Sequence, residues 1–309
     1  MKKIILAPNE SIHLDSEFIH YPMYASPKYD GHRLIILSGN MFSRNGKPQP
    51  NINLPNYLKN ILDWGRKQQM VIDGELYAHN LSFNELQSML RRKDALLVPQ
   101  LRYHVFDMLT QVEWDNGTEM PFDKRYNRYA IQLIKNCLAP TLPVKQILVE
   151  NSEKAASFFE QSLQDGYEGM MLRSPNGIYK HGRCTLQEGN LLKFKEWVTV
   201  DAVIIGFTQR RKMLDKVRLG VRTRNVFGSL ERSHHQEDFE ETEEIGCVEV
   251  ELPDGTHSGV NFAKEFDDEI NWKNHKKYIG KHVEIRYMKV GMKDRPRFGL
   301  ITRTRPELD

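Results

Sequence analysis

The hydrophobic pattern changes period near Trp197, and this change constrains the fold more than any other feature of the 309-residue chain. Before it, short strand-like runs alternate with segments of helical spacing. Residues 33–37 and 40–43 flank Ser38-Gly39, a hairpin signal. Leu54, Tyr57, Leu58, Ile61 and Leu62 recur as one helix face does. Ser82 with Glu85 reads as a capping box, and further helices are expected over 122–137 and 152–163. After Trp197, residues 200–207, 247–252, 256–260 and 282–290 read as strands, with Pro253-Asp254-Gly255 as a turn. Several short strands in about 110 residues point to a small closed β-barrel. The length fits two domains of about 150 residues, and the boundary falls between Glu196 and Thr199.

Composition excludes several classes. Hydrophobic residues are 39% and charged residues 28%, an ordinary globular balance. Cys137, Cys184 and Cys247 lie too far apart in sequence for a disulfide framework or a CxxC zinc site, which fits a reducing cytosol. No apolar run approaches the roughly 20 residues of a membrane span. The start, MKKIILAPNE, has an apolar run that stops at Pro8, too short for a secretory signal, so a cytoplasmic location is expected. The net charge of +3 hides a local split. Residues 210–224 hold Arg210, Arg211, Lys212, Lys216, Arg218, Arg222 and Arg224 against Asp215 alone, while 231–244 hold seven acids. Such runs are solvated faces as often as they are binding sites.

Six segments carry candidate chemistry. Lys28-Tyr29-Asp30-Gly31-His32-Arg33 places a lysine in a glycine turn. Deprotonated, such a lysine is a nucleophile, and a neighbouring cation such as Arg33 or a metal would lower its pKa; the same wording also suits a surface turn. Ser43-Arg44-Asn45-Gly46 follows it in the chain. In 71–77, Ile72, Gly74 and Leu76 share one strand face and Asp73 and Glu75 the other, whether functional or merely solvated. In 103–107, His104 and Phe106 share a face, and core packing is the commoner use of both. Residues 165–173, DGYEGMMLR, set Glu168 between glycines, close to backbone and suited to holding a metal beside a phosphate. Lys193 and Lys195 share a strand face about 7 Å apart, which suits a polyanion.

In order, KYDGHR, SRNG, DGELY, YHVFD, DGYEGMMLR and LLKFKE resemble the motifs of the ATP-dependent DNA ligases, within the covalent nucleotidyltransferase superfamily. Together they span most of 25–196. RPRFGLITRTRPE, 295–307, resembles the last motif but departs from the family's basic-x-Asp-Lys ending at Pro306-Glu307, which leaves Arg303 and Arg305 both open. The resemblance implies an α+β chain. Its nucleotidyltransferase domain, ATP-grasp-like and mixed α/β, would cover 1–197, and an OB-fold β-barrel would cover 198–309. The 27 residues before Lys28 leave no room for a separate N-terminal DNA-binding domain, so a compact two-domain monomer is expected.

The resemblance further implies ATP with Mg2+ or Mn2+ as cofactors and nicked duplex DNA as partner, with no membrane association. Lys28 would form a lysyl-AMP, AMP would pass to a 5′-phosphate, and the 3′-hydroxyl would then seal the nick, in replication, repair or recombination. By the same resemblance, Glu168 and Asp30 contact the metal and Glu75 the ribose hydroxyls. Phe106 stacks on adenine, and Arg33 holds AMP. Lys193 and Lys195 hold the α-phosphate, Arg303 or Arg305 the pyrophosphate, and Arg44 the nick's 5′-phosphate. Arg210, Arg211, Lys212, Arg218, Arg222 and Arg224 are candidate DNA contacts, unless the acids of 231–244 fold back on them. The rival readings are an RNA ligase, an mRNA capping guanylyltransferase and a catalytically dead nucleic-acid-binding module.

Overall fold

The computed structural model describes residues 2–10, 12–136, 138–214, 235–263, 266, 270–288 and 296–308. The chain divides into two compact units, one built on residues up to Lys195 and the other on residues from Glu196. In the first unit, β1 (Met23–Lys28) leads into a hairpin of β2 (His32–Leu37) and β3 (Asn40–Ser43). Ser38 and Gly39 both have positive φ, 50° and 74°, the geometry of a two-residue hairpin turn that follows strand twist. The helical pattern after it becomes two pieces, α1 (Leu54–Tyr57) and α2 (Lys59–Lys67). They meet at Leu58, and bonds from Leu58 N to Leu54 O and from Leu62 N to Leu58 O carry the ladder across the junction. Leu54, Leu58, Ile61 and Leu62 are buried.

Next come β4 (Met70–Tyr77), α3 (Phe83–Arg91) and β5 (Arg102–Thr110), with both bonds of the Ser82–Glu85 capping box present. They are followed by α4 (Gln111–Asn116), α5 (Phe122–Lys135), β6 (Thr141–Pro143), β7 (Ile147–Val149), α6 (Ser152–Gln164), β8 (Gly169–Arg173) and β9 (Leu191–Lys195). Cys137, expected at the end of α5, lies outside the described residues.

Two sheets result, ordered β7-β1-β8-β9 and β3-β2-β4-β5-β6. Leu34, Ile36, Ile72, Leu76 and Val105 of the second sheet pack with Leu58, Leu86 and Phe122 on one face. Ile35, Val71 and Leu109 of the same sheet pack with Trp114 and Tyr179 on the other. A sheet covered on both faces buries whatever polar groups it carries. Asp107 of β5 is fully buried between Arg125 of α5 (Nη2 to Oδ2, 3.0 Å) and Arg173 of β8. Arg173 also donates to Phe106 O at 3.1 Å and lies 3.9 Å from the Phe122 ring centroid. Asp107 belongs to one sheet and Arg173 to the other, so this carboxylate links the two.

The second unit contains β10 (Val198–Met213), β11 (Phe239–Glu251), β12 (His257–Phe262), β13 (His282–Met288) and β14 (Arg297–Thr304). They pair in the ring order β10-β11-β12-β14-β13, and Ile204, Val248, Val250, Val260, Val283, Ile285 and Ile301 fill the inside. The basic run that starts at Arg210 begins as an extension of this pairing, with Arg211 opposite Glu241, Lys212 opposite Glu240 and Met213 opposite Phe239.

Removing one partner of a buried ion pair strands the others. Asp107→Ala leaves two buried guanidinium groups without a counter-charge and is expected to cost about 3–5 kcal/mol. Urea unfolding followed by circular dichroism measures this; a loss below about 1 kcal/mol would mean that water or backbone carbonyls satisfy both arginines.

Candidate active site

Strand register brings the lysine of the first motif to the acid and lysine of two later ones. β8 runs antiparallel to both β1 and β9, with Gly169 opposite Lys28 on one side and Lys195 on the other. Glu168, 3% exposed, sits beside that row. Its two carboxylate oxygens accept from the two ammonium groups, Oε2 from Lys28 Nζ and Oε1 from Lys195 Nζ at 2.7 Å. The backbone follows the same path, Glu168 N donating to Lys28 O at 3.0 Å. Glycine is required at 169, because φ is +149° and a Cβ there would lie 2.1 Å from Phe194 O. The two ammonium groups hold the Glu168 carboxyl below its ordinary range, even though burial alone would raise it.

Lys193 lies two residues before Lys195 on the same face of β9, while Leu192 and Phe194 turn into the core. Lys193 Nζ donates to Pro8 O. Burial lowers its pKa to about 8, helped by repulsion from Lys195, Arg183, Lys28 and Arg44. Arg183, to which the sequence pattern assigns no role, therefore belongs to this cation cluster; it donates to Ala7 O. Arg44, exposed just past β3, feels repulsion from Arg33 and Arg183 and attraction from Glu75.

On the second sheet, Arg33 of β2 is cross-strand neighbour to Glu75 of β4. Its guanidinium grips Asp73 through two bonds, Nε to Oδ1 and Nη2 to Oδ2, both 2.6 Å. Asp73 is fully buried and also accepts from Tyr179 Oη at 2.7 Å. The face expected to hold either functional or solvated acids is thus closed to solvent at Asp73. The Arg33 guanidinium also lies 4.5 Å from the Phe106 ring centroid. Phe106 is the extra residue of a β-bulge, since Asp73 pairs with Asp107 while Gly74 pairs with Val105.

Burial raises the Glu75 carboxyl to about 7, with Glu168 and Asp73 adding to the rise and Arg33 and Lys28 opposing it. Asp30 lies in the turn between β1 and β2. His104 stacks on Tyr29 at 4.4 Å, and burial drives its pKa down to about 4, so its ring is neutral. Among the described residues no three His, Cys, Asp or Glu side chains form a metal cage. The carboxylates of Glu168 and Asp30 are hard oxygen donors of the kind that bind Mg2+ jointly with phosphate oxygens.

In the second unit, Arg305 is engaged by Asp201 (2.8 Å), Glu284 (2.6 Å) and Glu307 (3.3 Å). Arg303 meets Glu284 at 3.1 Å and remains 57% exposed. Arg210 pairs with Glu244 at 2.6 Å and Arg211 with Glu241 at 3.5 Å, so the acids do fold back on this end of the basic run. Arg218, Arg222 and Arg224 lie outside the described residues.

The site thus brings together a lysine held by a carboxylate and a cluster of further cations. The family model for the ATP dependent DNA ligase domain matches residues 7–195, and the chain belongs to that family. It is 27% identical over 148 residues to a DNA ligase of African swine fever virus, a stretch covering 48% of this chain and 34% of that one. The chain therefore matches about a third of the length of that relative. A Chlorella virus DNA ligase-adenylate structure aligns over 100% of this chain and 99% of its own, with TM-score 0.53 and 26% identity. A Lig E DNA ligase structure aligns over 99% and 100%, with TM-score 0.64 and 20% identity, a likeness of fold. Among the described residues no helix is long and apolar enough to cross a membrane.

The raised Glu75 pKa has a definite sign. The folded state favours the protonated form, so ionising Glu75 opposes folding. This cost is absent below the ordinary value near 4.5, grows as pH rises, and is complete above about 7. Glu75→Gln is therefore expected to melt close to wild type at pH 4.5 and several degrees higher at pH 8. Scanning calorimetry across that range measures the difference; an equal gap at both pH values would show that Glu75 titrates normally.

Proposed function

We propose that this protein is an ATP-dependent DNA ligase that seals 5′-phosphate/3′-hydroxyl nicks in duplex DNA through a Lys28–AMP intermediate. The observation that carries the reading is Glu168 accepting from both Lys28 and Lys195 inside the family-matched stretch. Lys28 Nζ attacks the α-phosphorus of ATP; an N–P bond forms, the bond to the β-phosphate oxygen breaks, and pyrophosphate leaves. The Nζ proton is lost to solvent before the attack, while Glu168 Oε2, to which Nζ is hydrogen-bonded, holds the amine in place. An oxygen of the nick's 5′-phosphate then attacks the AMP phosphorus, and Lys28 recovers its proton as the N–P bond breaks. Finally the 3′-hydroxyl attacks the 5′-phosphorus and AMP departs.

The surrounding residues take the roles their positions support. Lys193 and Lys195 offset charge on the α-phosphate, Glu75 accepts from the ribose hydroxyls, and Phe106 stacks on adenine. Arg33, engaged by Asp73, serves AMP by backing the Phe106 ring. Arg44 receives the 5′-phosphate, joined by Arg183. A divalent ion, Mg2+ or Mn2+, held by Glu168 and Asp30 with phosphate oxygens, would add neutralising charge. Arg303 is the better pyrophosphate ligand of the C-terminal pair, since Arg305 already has three carboxylate partners. The ring of five strands from Glu196 onward fits an OB-type barrel.

Incubation with ATP and Mg2+ followed by mass spectrometry is expected to show one AMP on Lys28. Lys28→Ala should abolish the adduct and ATP-dependent sealing, yet largely spare closure of a nick that already carries 5′-AMP. A GMP adduct in preference to AMP would move the protein to the capping enzymes, and preferential sealing of nicked RNA would make it an RNA ligase. Glu168→Ala is expected to slow both adduct formation and closure of the adenylated nick by roughly 10²-fold or more; a change under about threefold in both would reduce Glu168 to a structural residue.

A further inference from the structure

We propose that residues 271–281 of the second unit form a phosphate-binding face for duplex DNA, with Lys273, Lys276 and Lys277 as its cations. DNA as the partner rests on the ligase reading above; the face itself rests on the following observations. The segment NWKNHKKYIGK contains four lysines and no acidic residue. Lys273, Lys276 and Lys277 are exposed, and none makes an ion pair among the described residues. Asp267, Asp268 and Glu269, which precede the segment, lie outside the described residues.

The lysines are carried on an ordered backbone. Asn274 Oδ1 accepts from Asn271 N at 2.8 Å, and Asn271 Oδ1 accepts from Lys273 N at 3.0 Å. A 3-10 turn covers His275–Tyr278, with Lys277 N donating to Asn274 O at 3.0 Å. Gly280 N donates to Ile204 O at 2.8 Å, and Lys281 O accepts from Ile204 N at 3.0 Å, which fastens the segment to β10. Trp272 stacks on His275 at 4.1 Å and 13°, and Phe207 of β10 meets His275 edge-on at 5.3 Å. A polyanion docking here meets cations whose backbone is already fixed, so less ordering entropy opposes binding.

Four other cations of this unit differ in one respect. Arg210, Arg211, Arg303 and Arg305 each have a carboxylate partner. A phosphate approaching any of them must displace a glutamate or aspartate and face its repulsion. At Lys273, Lys276 and Lys277 no described acid competes. Lysine presents a point charge without the fork that reads guanine, so the face suits backbone phosphate and carries no base preference.

The test is a salt titration of binding to a nicked duplex, read by fluorescence anisotropy of the full chain. Replacing Lys273, Lys276 and Lys277 together by Gln is expected to weaken binding about tenfold or more at low salt. The log-log salt slope should flatten by up to about 2.7, or about 0.9 for each phosphate that is no longer neutralised. The triple Lys→Arg variant keeps the charges and is expected to retain the wild-type slope. An unchanged slope in the Gln variant would overturn the proposal, as would an equal loss in the Arg variant. Failure of the ligase reading would register separately, as wild-type protein that binds duplex DNA but forms no AMP adduct on Lys28.

Discussion

The first unit depends on one buried carboxylate. Asp107 joins a strand of one sheet to Arg173 on a strand of the other and to Arg125 on a helix. Lys28 and Lys195 belong to the first sheet, with Glu168 just before its strand β8, while Arg33, Glu75 and Phe106 belong to the second. In the proposed ligase function a nucleotide is held by both groups, which requires the sheets to stay in fixed relation. Hydrophobic packing is non-directional and tolerates small slips, whereas a charge-assisted pair with two arginines does not. Charged groups so deeply buried cost desolvation, and their use here is in keeping with a joint that must hold one geometry.

Within the first sheet, register does the equivalent work. Lys28, Gly169 and Lys195 form a single cross-strand row, and the tight approach of β9 to Gly169 leaves no space for a side chain. Glu168 can therefore reach two ammonium groups that belong to different strands. The carboxylate holds both in place before any substrate arrives, and preorganised charge of this kind costs no rearrangement during reaction.

Local chemistry was legible in the sequence wherever neighbours in the chain are neighbours in space. Ser38-Gly39 formed its turn, and Ser82 with Glu85 its capping box, because each involves residues at most three apart. The helical run at 54–62 kept its buried face although it broke into two helices at Leu58. The motifs named Lys28, Glu168 and Lys195, but their meeting depends on strand order, which periodicity does not encode. Alternation put Asp73 and Glu75 on one face without revealing that this face is covered. It also separated Phe106 from Asp107, and the bulge at Phe106 brings Asp107 onto the Asp73 face. Asp107, Arg125 and Arg173 went unread because nothing local links positions so far apart.

The register of β9 has a consequence for how much charge the site presents. With Leu192 and Phe194 committed to the core, Lys193 has to face its fellow cations, and its proton is released near pH 8. Across the site, Glu75 acquires its negative charge near pH 7. Both events move the cluster in the same direction, so between about pH 7 and pH 8 it loses close to one positive charge. The formal net charge of +3, counted from ordinary pKa values, thus describes the chain but not this cluster. The cluster behaves as a small buffer whose net charge falls most steeply just above neutrality.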